Sequence, residues 1–249
     1  MSRGPLVSVI IPIHNGEAWI DECFESIIKQ DILESDKLEI SVYNDASTDN
    51  TREILMEWEK RVSNIPNLSL LVKHGTDDNP GGVGFAKNRA IEQSHGKYLC
   101  FQDIDDVMLH GRITAQLKEA KNFPDAIIGC QVKRVPEGST PRLTDWANNL
   151  PQHLLTVQIY TSHGPTVLMP TWFFSRTVFE KAGLFSEAGK GTPEDLLFFY
   201  SHLESGGSVR RVEEVLLIYR YHPNCTTFSV TDILYGRVEQ NRPIWMCIM

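Results

Sequence analysis

Short unbroken apolar runs alternate with segments in which apolar residues recur every three or four positions. Val7-Ser8-Val9-Ile10-Ile11-Pro12-Ile13 is brief, β-branched and almost wholly apolar, which predicts a strand buried on both faces. Pro12 has no N–H, so pairing is expected to stop there. Trp19, Ile20, Cys23, Phe24, Ile27 and Ile28 share one helical face and predict a helix over residues 18–30. A second strand is expected over 38–43, followed by the polar turn Asn44-Asp45-Ala46-Ser47-Thr48-Asp49. Asn50 and Glu53 have capping-box spacing for the helix after it. A third strand (68–72), a helix (85–94), a fourth strand (98–101), a helix (110–122) and a further strand (126–133) complete the pattern. Repeated βα units followed by another strand predict an α/β fold, a Rossmann-like, mostly parallel sheet flanked by helices.

The periodicity weakens after Arg134. Residues 136–149 are polar and turn-rich and read as loop, and 154–160 as a short helix. The apolar runs 166–169 and 172–174 are broken by Pro170. Thr192 is a suitable N-cap, with Pro193 at the first helical position and Asp195 at the third. Residues 208–212 and 215–219 read as a closing hairpin or two short strands, and Tyr221-His222 follow.

Composition adds little to this pattern. With 249 residues, 41% hydrophobic and 22% charged, the chain is ordinary for a globular protein. The net charge of −8 disfavours a broad nucleic-acid surface, and DNA is not an expected partner. No apolar run approaches a membrane span, and none at the start resembles a signal peptide. Five scattered cysteines without CxxC spacing suit reduced thiols, so a cytoplasmic protein with no membrane partner is expected.

The candidate chemistry lies in the polar turns after the strands. Asp103, Asp105 and Asp106 follow a strand within four positions. Carboxylates crowded there repel one another, and a bound Mg²⁺ or Mn²⁺ would remove the penalty. The competing reading is a solvated acidic turn, with Asp106 or a neighbour opening the next helix. In open α/β sheets ligands sit beyond the carboxyl ends of the strands, where this turn falls. Asp45 reads as a turn residue or as an acceptor facing the cleft. Gly81-Gly82 allows close backbone approach to a ligand. Lys87 reads as a phosphate contact or as a solvent-facing lysine. Asp195 reads as a capping carboxylate or as a base in the cleft, and His222 as a surface or core histidine or as a metal ligand.

The ordered motifs SVIIPIHN, YNDASTDN, GGVGFAKNRA, YLCFQDIDD, TPEDLLFF and YRYH resemble the family 2 glycosyltransferases with the GT-A fold, over about residues 7–222. The resemblance implies a single GT-A domain. Residues 7–134 would form its nucleotide-sugar half and 135–222 a smaller C-terminal region bearing the acceptor side and the catalytic base, with 223–249 an atypical tail. It implies that Pro12, His14 and Asp45 line a uridine pocket and that Gly82 and Lys87 border the nucleotide. Asp103 would lie near the ribose, and Asp105 and His222 would hold the metal. Asp195 would be the catalytic base, with Glu194 beside it at the donor. Finer stretches, VGFAKNRA, GPTVLMPTWFFSR, GTPEDLLFFY and LLIYRYHP, resemble the branch that transfers galactose to queuosine in tRNA. That implies UDP-galactose as the UDP-sugar and a tRNA anticodon loop as acceptor. Trp146, Trp172 or Phe173 would then stack on a base, or belong to the core. Lys133, Arg134, Arg142, Arg210 and Arg211 would meet phosphates, or be scattered surface charge. Transfer of GlcNAc to another acceptor, or sugar-nucleotide binding without turnover, remain open. A nucleotidyltransferase would need a glycine-rich loop after the first strand, which Pro12-Ile13-His14-Asn15-Gly16 lacks.

Overall fold

A computed structural model of the chain describes residues 4–77, 79–160, 162, 164–189, 192–223 and 225. In chain order its elements are β1 (Val7–Ile13), α1 (Ile20–Ile28), β2 (Leu38–Asn44), α2 (Thr51–Val62), β3 (Leu68–His74), α3 (Val83–Gln93), β4 (Tyr98–Phe101), β5 (Val107–Met108), α4 (Arg112–Asn122), β6 (Ala126–Val135), α5 (Pro141–Asn149), β7 (Phe173–Ser175), α6 (Arg176–Ala182), α7 (Glu194–Glu204) and β8 (Ser208–Arg220). The strands form one sheet in the order β3-β2-β1-β4-β7-β6-β8-β5. Strands β1, β2, β3, β4, β6 and β8 point one way, and β5 and β7 run against them. The carboxyl ends of β1, β2, β4 and β8 therefore share one edge of the sheet.

Both faces are buried, as the unbroken apolar runs require. Val7, Val9, Ile11 and Ile13 of β1 pack with α1, α2 and α4 on one face. Ile10 packs with α3, α6 and α7 on the other. The second face is aromatic. Trp172 lies against Phe101, Phe185, Phe198 and Phe199, and Phe185 stacks on Phe198 at 4.3 Å. Trp172 and Phe173 are fully buried, so neither is available to stack on a nucleobase, and Trp146 packs against the same core.

Several expectations fail for identifiable reasons. Pairing does not stop at Pro12: β1 follows β2 through Ile13. In a parallel ladder one residue's N–H and C=O face the same neighbour. The Pro12 nitrogen faces the β4 side, where pairing has already ended at Ile10, so no bond is lost. The expected hairpin is one strand. Glu213 and Glu214 form an irregularity in the β6–β8 register rather than a turn, and Arg211 and Gln131 both bond to Glu213. The polar stretch 136–149 contains α5, whose Pro141 opens the helix. Residues 152–160 form short 3₁₀ turns instead of one helix. Neither expected cap forms. The Asn50 side chain donates to Glu17, while Asp49 receives the Thr51 N–H. Pro193, not Thr192, precedes the first residue of α7.

Candidate active site

The turn after β4 is built on a buried cation. Arg112 is fully buried at the start of α4, where its charge opposes the helix dipole. Its Nη1 donates to Gln102 Oε1 at 2.8 Å, and its Nη2 to the carbonyls of Phe101 and Pro170, each at 2.8 Å. Gln102 Nε2 in turn donates to the carbonyls of Asp103 and Asp106, each at 3.0 Å. The turn is thereby held rigid, and carboxylate oxygens of Asp103, Asp105 and Asp106 lie within 4.8 Å of one another. Burial pushes the Asp103 carboxyl up to about 7; Lys87 opposes the shift, and Asp105 and the carboxylates of α7 add to it. Burial, then Asp105 and Asp103, hold Asp106 well above the usual carboxylate range. Just beyond β8, His222 Nε2 lies 2.9 Å from Asp105 Oδ2.

A second set of charges adjoins this turn. Lys87, on α3, is buried, and its Nζ lies 2.8 Å from Glu194 Oε1 at the start of α7. Burial disfavours its charge, but Glu194, Asp103 and Asp195 together raise its pKa. Asp195 is pushed up to about 6 by burial and by Glu194, with Lys87 opposing, while its Oδ1 accepts from the Leu196 N–H at 2.7 Å. One lysine thus sits among carboxylates from the turn after β4 and from α7. The same helix grips the chain leading to α7. Asn88 Nδ2 donates to the Phe185 carbonyl at 2.9 Å and to Glu187 at 2.8 Å, and its Oδ1 accepts from the Phe185 N–H at 3.0 Å. Gly84 makes the contact possible, since a Cβ there would collide with the Ser186 carbonyl oxygen. Gly84→Ala is expected to destabilise the fold by about 1–3 kcal/mol, measured by denaturant unfolding.

A third group closes the ends of β1 and β2. Asp45 accepts from the Gly81 N–H at 3.0 Å and the Gly82 N–H at 2.9 Å, and its own carbonyl accepts from His14 Nδ1 at 2.7 Å. Gly82 has φ 98°, a conformation that favours glycine.

An α/β sheet with an acidic turn at the carboxyl end of a central strand occurs in several enzyme classes, and comparison with known proteins separates them. The model of glycosyl transferase family 2 matches residues 8–183. The chain belongs to that family. It is 30% identical over 236 residues to a Bacillus subtilis protein named uncharacterized glycosyltransferase EpsJ, covering 93% of this chain and 64% of that one. Its fold is similar to that of Staphylococcus aureus TarS 1–349 in complex with UDP-GlcNAc, with TM-score 0.68 and 20% identity over 90% of this chain and 61% of that one. It is also similar to the mannosyltransferase PcManGT of Pyrobaculum calidifontis in complex with GDP-Man and Mn²⁺, with TM-score 0.66 and 18% identity over 88% of this chain and 57% of that one. The chain thus spans less than two thirds of each of these three proteins. These neighbours have the GT-A fold expected from the motifs.

In this family 2 glycosyltransferase the structure brings Lys87, Asp103, Asp105, Glu194, Asp195 and His222 into one charged cluster. His14, Asp45 and Gly82 belong to the third group, and Pro12 lies near the end of β1. Lys87 is not solvent-facing; it is ion-paired within the protein. Arg134 and Arg211 are buried, whereas Arg210 is partly exposed, lies over Phe123 and pairs with Glu119. Lys133 and Arg142 are exposed. The last part of the expected tail, from 226 onward, lies outside the described residues. Sequence reasoning passed over Gln102, Arg112 and the buried position of Asp106. An arginine in the first turn of a helix was the one available signal, because it implies a partner elsewhere.

The raised carboxyls make stability depend on pH. Between the ordinary value of 3.8 and the folded values of about 7 for Asp103 and about 6 for Asp195, the native state binds more protons than the unfolded chain. These groups therefore destabilise the fold progressively as pH rises through that window. The metal-free protein is expected to have a higher Tm near about pH 5 than about pH 7.5 from this contribution, and Mn²⁺ is expected to recover the difference at the higher pH. Thermal unfolding with Mn²⁺ or with chelator measures both effects.

Among the described residues, no helix is long and apolar enough to cross a membrane.

Proposed function

We propose that this protein is an inverting, divalent-metal-dependent glycosyltransferase that moves galactose from UDP-galactose to the queuosine base of a tRNA anticodon loop in the cytoplasm. The observation that carries the reading is the sharing of one charged cluster by Asp195, from α7, with Asp103 and Asp105, from the turn after β4.

The donor set suits a hard cation: three crowded carboxylates, Asp103 and Asp106 with raised proton affinity, and an imidazole 2.9 Å from Asp105. Asp105 and His222 would hold Mn²⁺ or Mg²⁺, with Asp103 toward the ribose. When bound, the cation supplies positive charge at the departing diphosphate. Asp45 and His14, with Pro12 and Gly82, would receive the uracil side of the donor. Lys87 balances Glu194 and Asp195 and keeps the start of α7 at the cluster. The acceptor hydroxyl oxygen forms a bond to the anomeric carbon as the bond from that carbon to the UDP oxygen breaks. Asp195 takes the hydroxyl proton. One displacement inverts the anomeric centre, so an α-linked donor yields a β-galactoside.

A UDP-sugar donor is favoured by the TarS fold neighbour, whose structure holds UDP-GlcNAc, and a metal by PcManGT, whose structure holds Mn²⁺. Galactose and queuosine rest on the sequence stretches VGFAKNRA, GTPEDLLFFY and LLIYRYHP. A cytoplasmic location is supported by Cys23, Cys100 and Cys130, which are free and buried. A second reading, transfer of GlcNAc to another acceptor, is favoured by the sugar in the TarS complex. Incubation with queuosine-containing tRNA and a panel of UDP-sugars, read by nucleoside mass, separates them. Addition of one hexose from UDP-galactose alone supports the proposal. Addition from UDP-GlcNAc supports the second reading. Metal-dependent UDP binding with no product from any donor would indicate a binding module or a different acceptor.

A further inference from the structure

The acidic turn contains one carboxylate more than the roles assigned above use. Asp106 is 1% exposed, and its Oδ1 accepts from the backbone N–H of Arg220 at 2.9 Å, at the last position of β8. Its Oδ2 is sealed from solvent with no hydrogen-bond partner. Two residues beyond Arg220 lies His222, against Asp105. The intervening chain is held at each step. Arg134 lies over the ring of Tyr219 at 3.7 Å and beside that of Tyr221 at 5.1 Å. The Arg220 side chain pairs with Glu22 at 2.6 Å and lies over Trp19 at 4.9 Å. Trp19 also meets the His222 ring at 5.1 Å. The backbone here also follows β6 as far as Arg220, the Tyr221 N–H donates to the Val135 carbonyl at 2.8 Å, and Val107 of β5 pairs with Ile218. Asp106 adds a side-chain bond from the acidic turn to the last residue of β8, two positions before His222.

We propose that Asp106 is a positioning residue for His222: by fixing the Arg220 N–H it locks the end of β8 to the acidic turn, and it is a latch rather than a third cation ligand. The inference rests on the reading of Asp105 and His222 as metal ligands. One Asp106 oxygen is committed to a backbone amide and the other is sealed from solvent, so the carboxylate is held by the protein itself before any cation arrives. An imidazole two residues beyond β8 needs the preceding backbone pinned before it can present a fixed nitrogen to a cation. Partners of this kind typically alter metal affinity about 10–100-fold when removed.

Two variants separate latch from ligand. Asp106→Asn keeps an oxygen for the Arg220 N–H, whereas Asp106→Ala removes it. Mn²⁺-dependent UDP affinity, measured by calorimetry, is expected to stay near the parent value in Asp106→Asn and to fall about tenfold or more in Asp106→Ala. In a His222→Ala background, Asp106→Ala is expected to add nothing, because the group it positions is gone. In the metal-free protein, hydrogen exchange at the Arg220 amide should be slow in the parent and in Asp106→Asn, and fast in Asp106→Ala. If Asp106→Ala does not fold, Asp106→Leu, similar in volume but without an acceptor, takes its place. Loss of metal-dependent binding in Asp106→Asn would make Asp106 a ligand and overturn the proposal. Additive losses in the His222→Ala background would overturn it in favour of a general structural role. A parent protein that binds UDP without metal would overturn the underlying metal reading, and the Arg220 amide would still report whether the latch exists.

Discussion

Asp195→Asn is expected to lower turnover by about 10²–10⁴-fold, the range typical of a lost general base, and to leave UDP affinity unchanged. The substitution is nearly isosteric. Asparagine retains an oxygen to accept the Leu196 N–H, and the Lys87–Glu194 pair that anchors α7 does not involve the altered group. What disappears is the ability to take a proton. The parent should also lose activity as pH falls below about 6, where Asp195 becomes protonated, and that limb of the profile should vanish in the variant. The pKa of Asp195 is set first by burial and then by Glu194, with Lys87 opposing, so its carboxyl titrates closer to neutral pH than that of an exposed aspartate. Steady-state turnover and UDP calorimetry on the same preparations check both halves. Near-normal turnover would remove Asp195 from the role of base.

The second large effect is expected at Asp105. Asp105→Ala should abolish Mn²⁺-dependent UDP binding, a loss greater than the about 10–100-fold typical of a group that merely supports a ligand. The substitution takes one candidate ligand and also frees His222, whose Nε2 lies 2.9 Å from Asp105 Oδ2. Asp103 alone does not replace it, because a single carboxylate in the turn leaves the cation without the Asp105–His222 pair. Calorimetry with Mn²⁺ and with chelator measures the change. Binding of UDP by the parent protein in the absence of any divalent metal would contradict it.

The strands and most helices were legible because their signals are local. An apolar run such as 7–13 or 98–101 reports two buried faces, and the order of polar turns after those runs was enough to suggest a family and a list of site residues. Local signals failed where a polar residue had a distant partner. The Asn50 and Thr192 caps were sound by spacing, but Glu17 claimed the Asn50 side chain and α7 begins one residue later than Thr192 predicts. Glu213-Glu214 looked like a turn and became a strand irregularity because the β6 partner absorbs it.

Residue order alone established the α/β architecture, the carboxyl-end location of the acidic turns and membership among proteins that carry these motifs in this sequence. Folding decided which charges neutralise which. Lys87 meets Glu194 across 107 positions, Asp106 holds Arg220 across 114, and His222 reaches Asp105 across 117. The physical reason is that helix and strand periods depend on neighbours a few residues apart, whereas ion pairing and burial depend on distance through space. Nothing near Asp106 in the chain distinguishes a sealed latch from a solvated carboxylate until β8 lies against it.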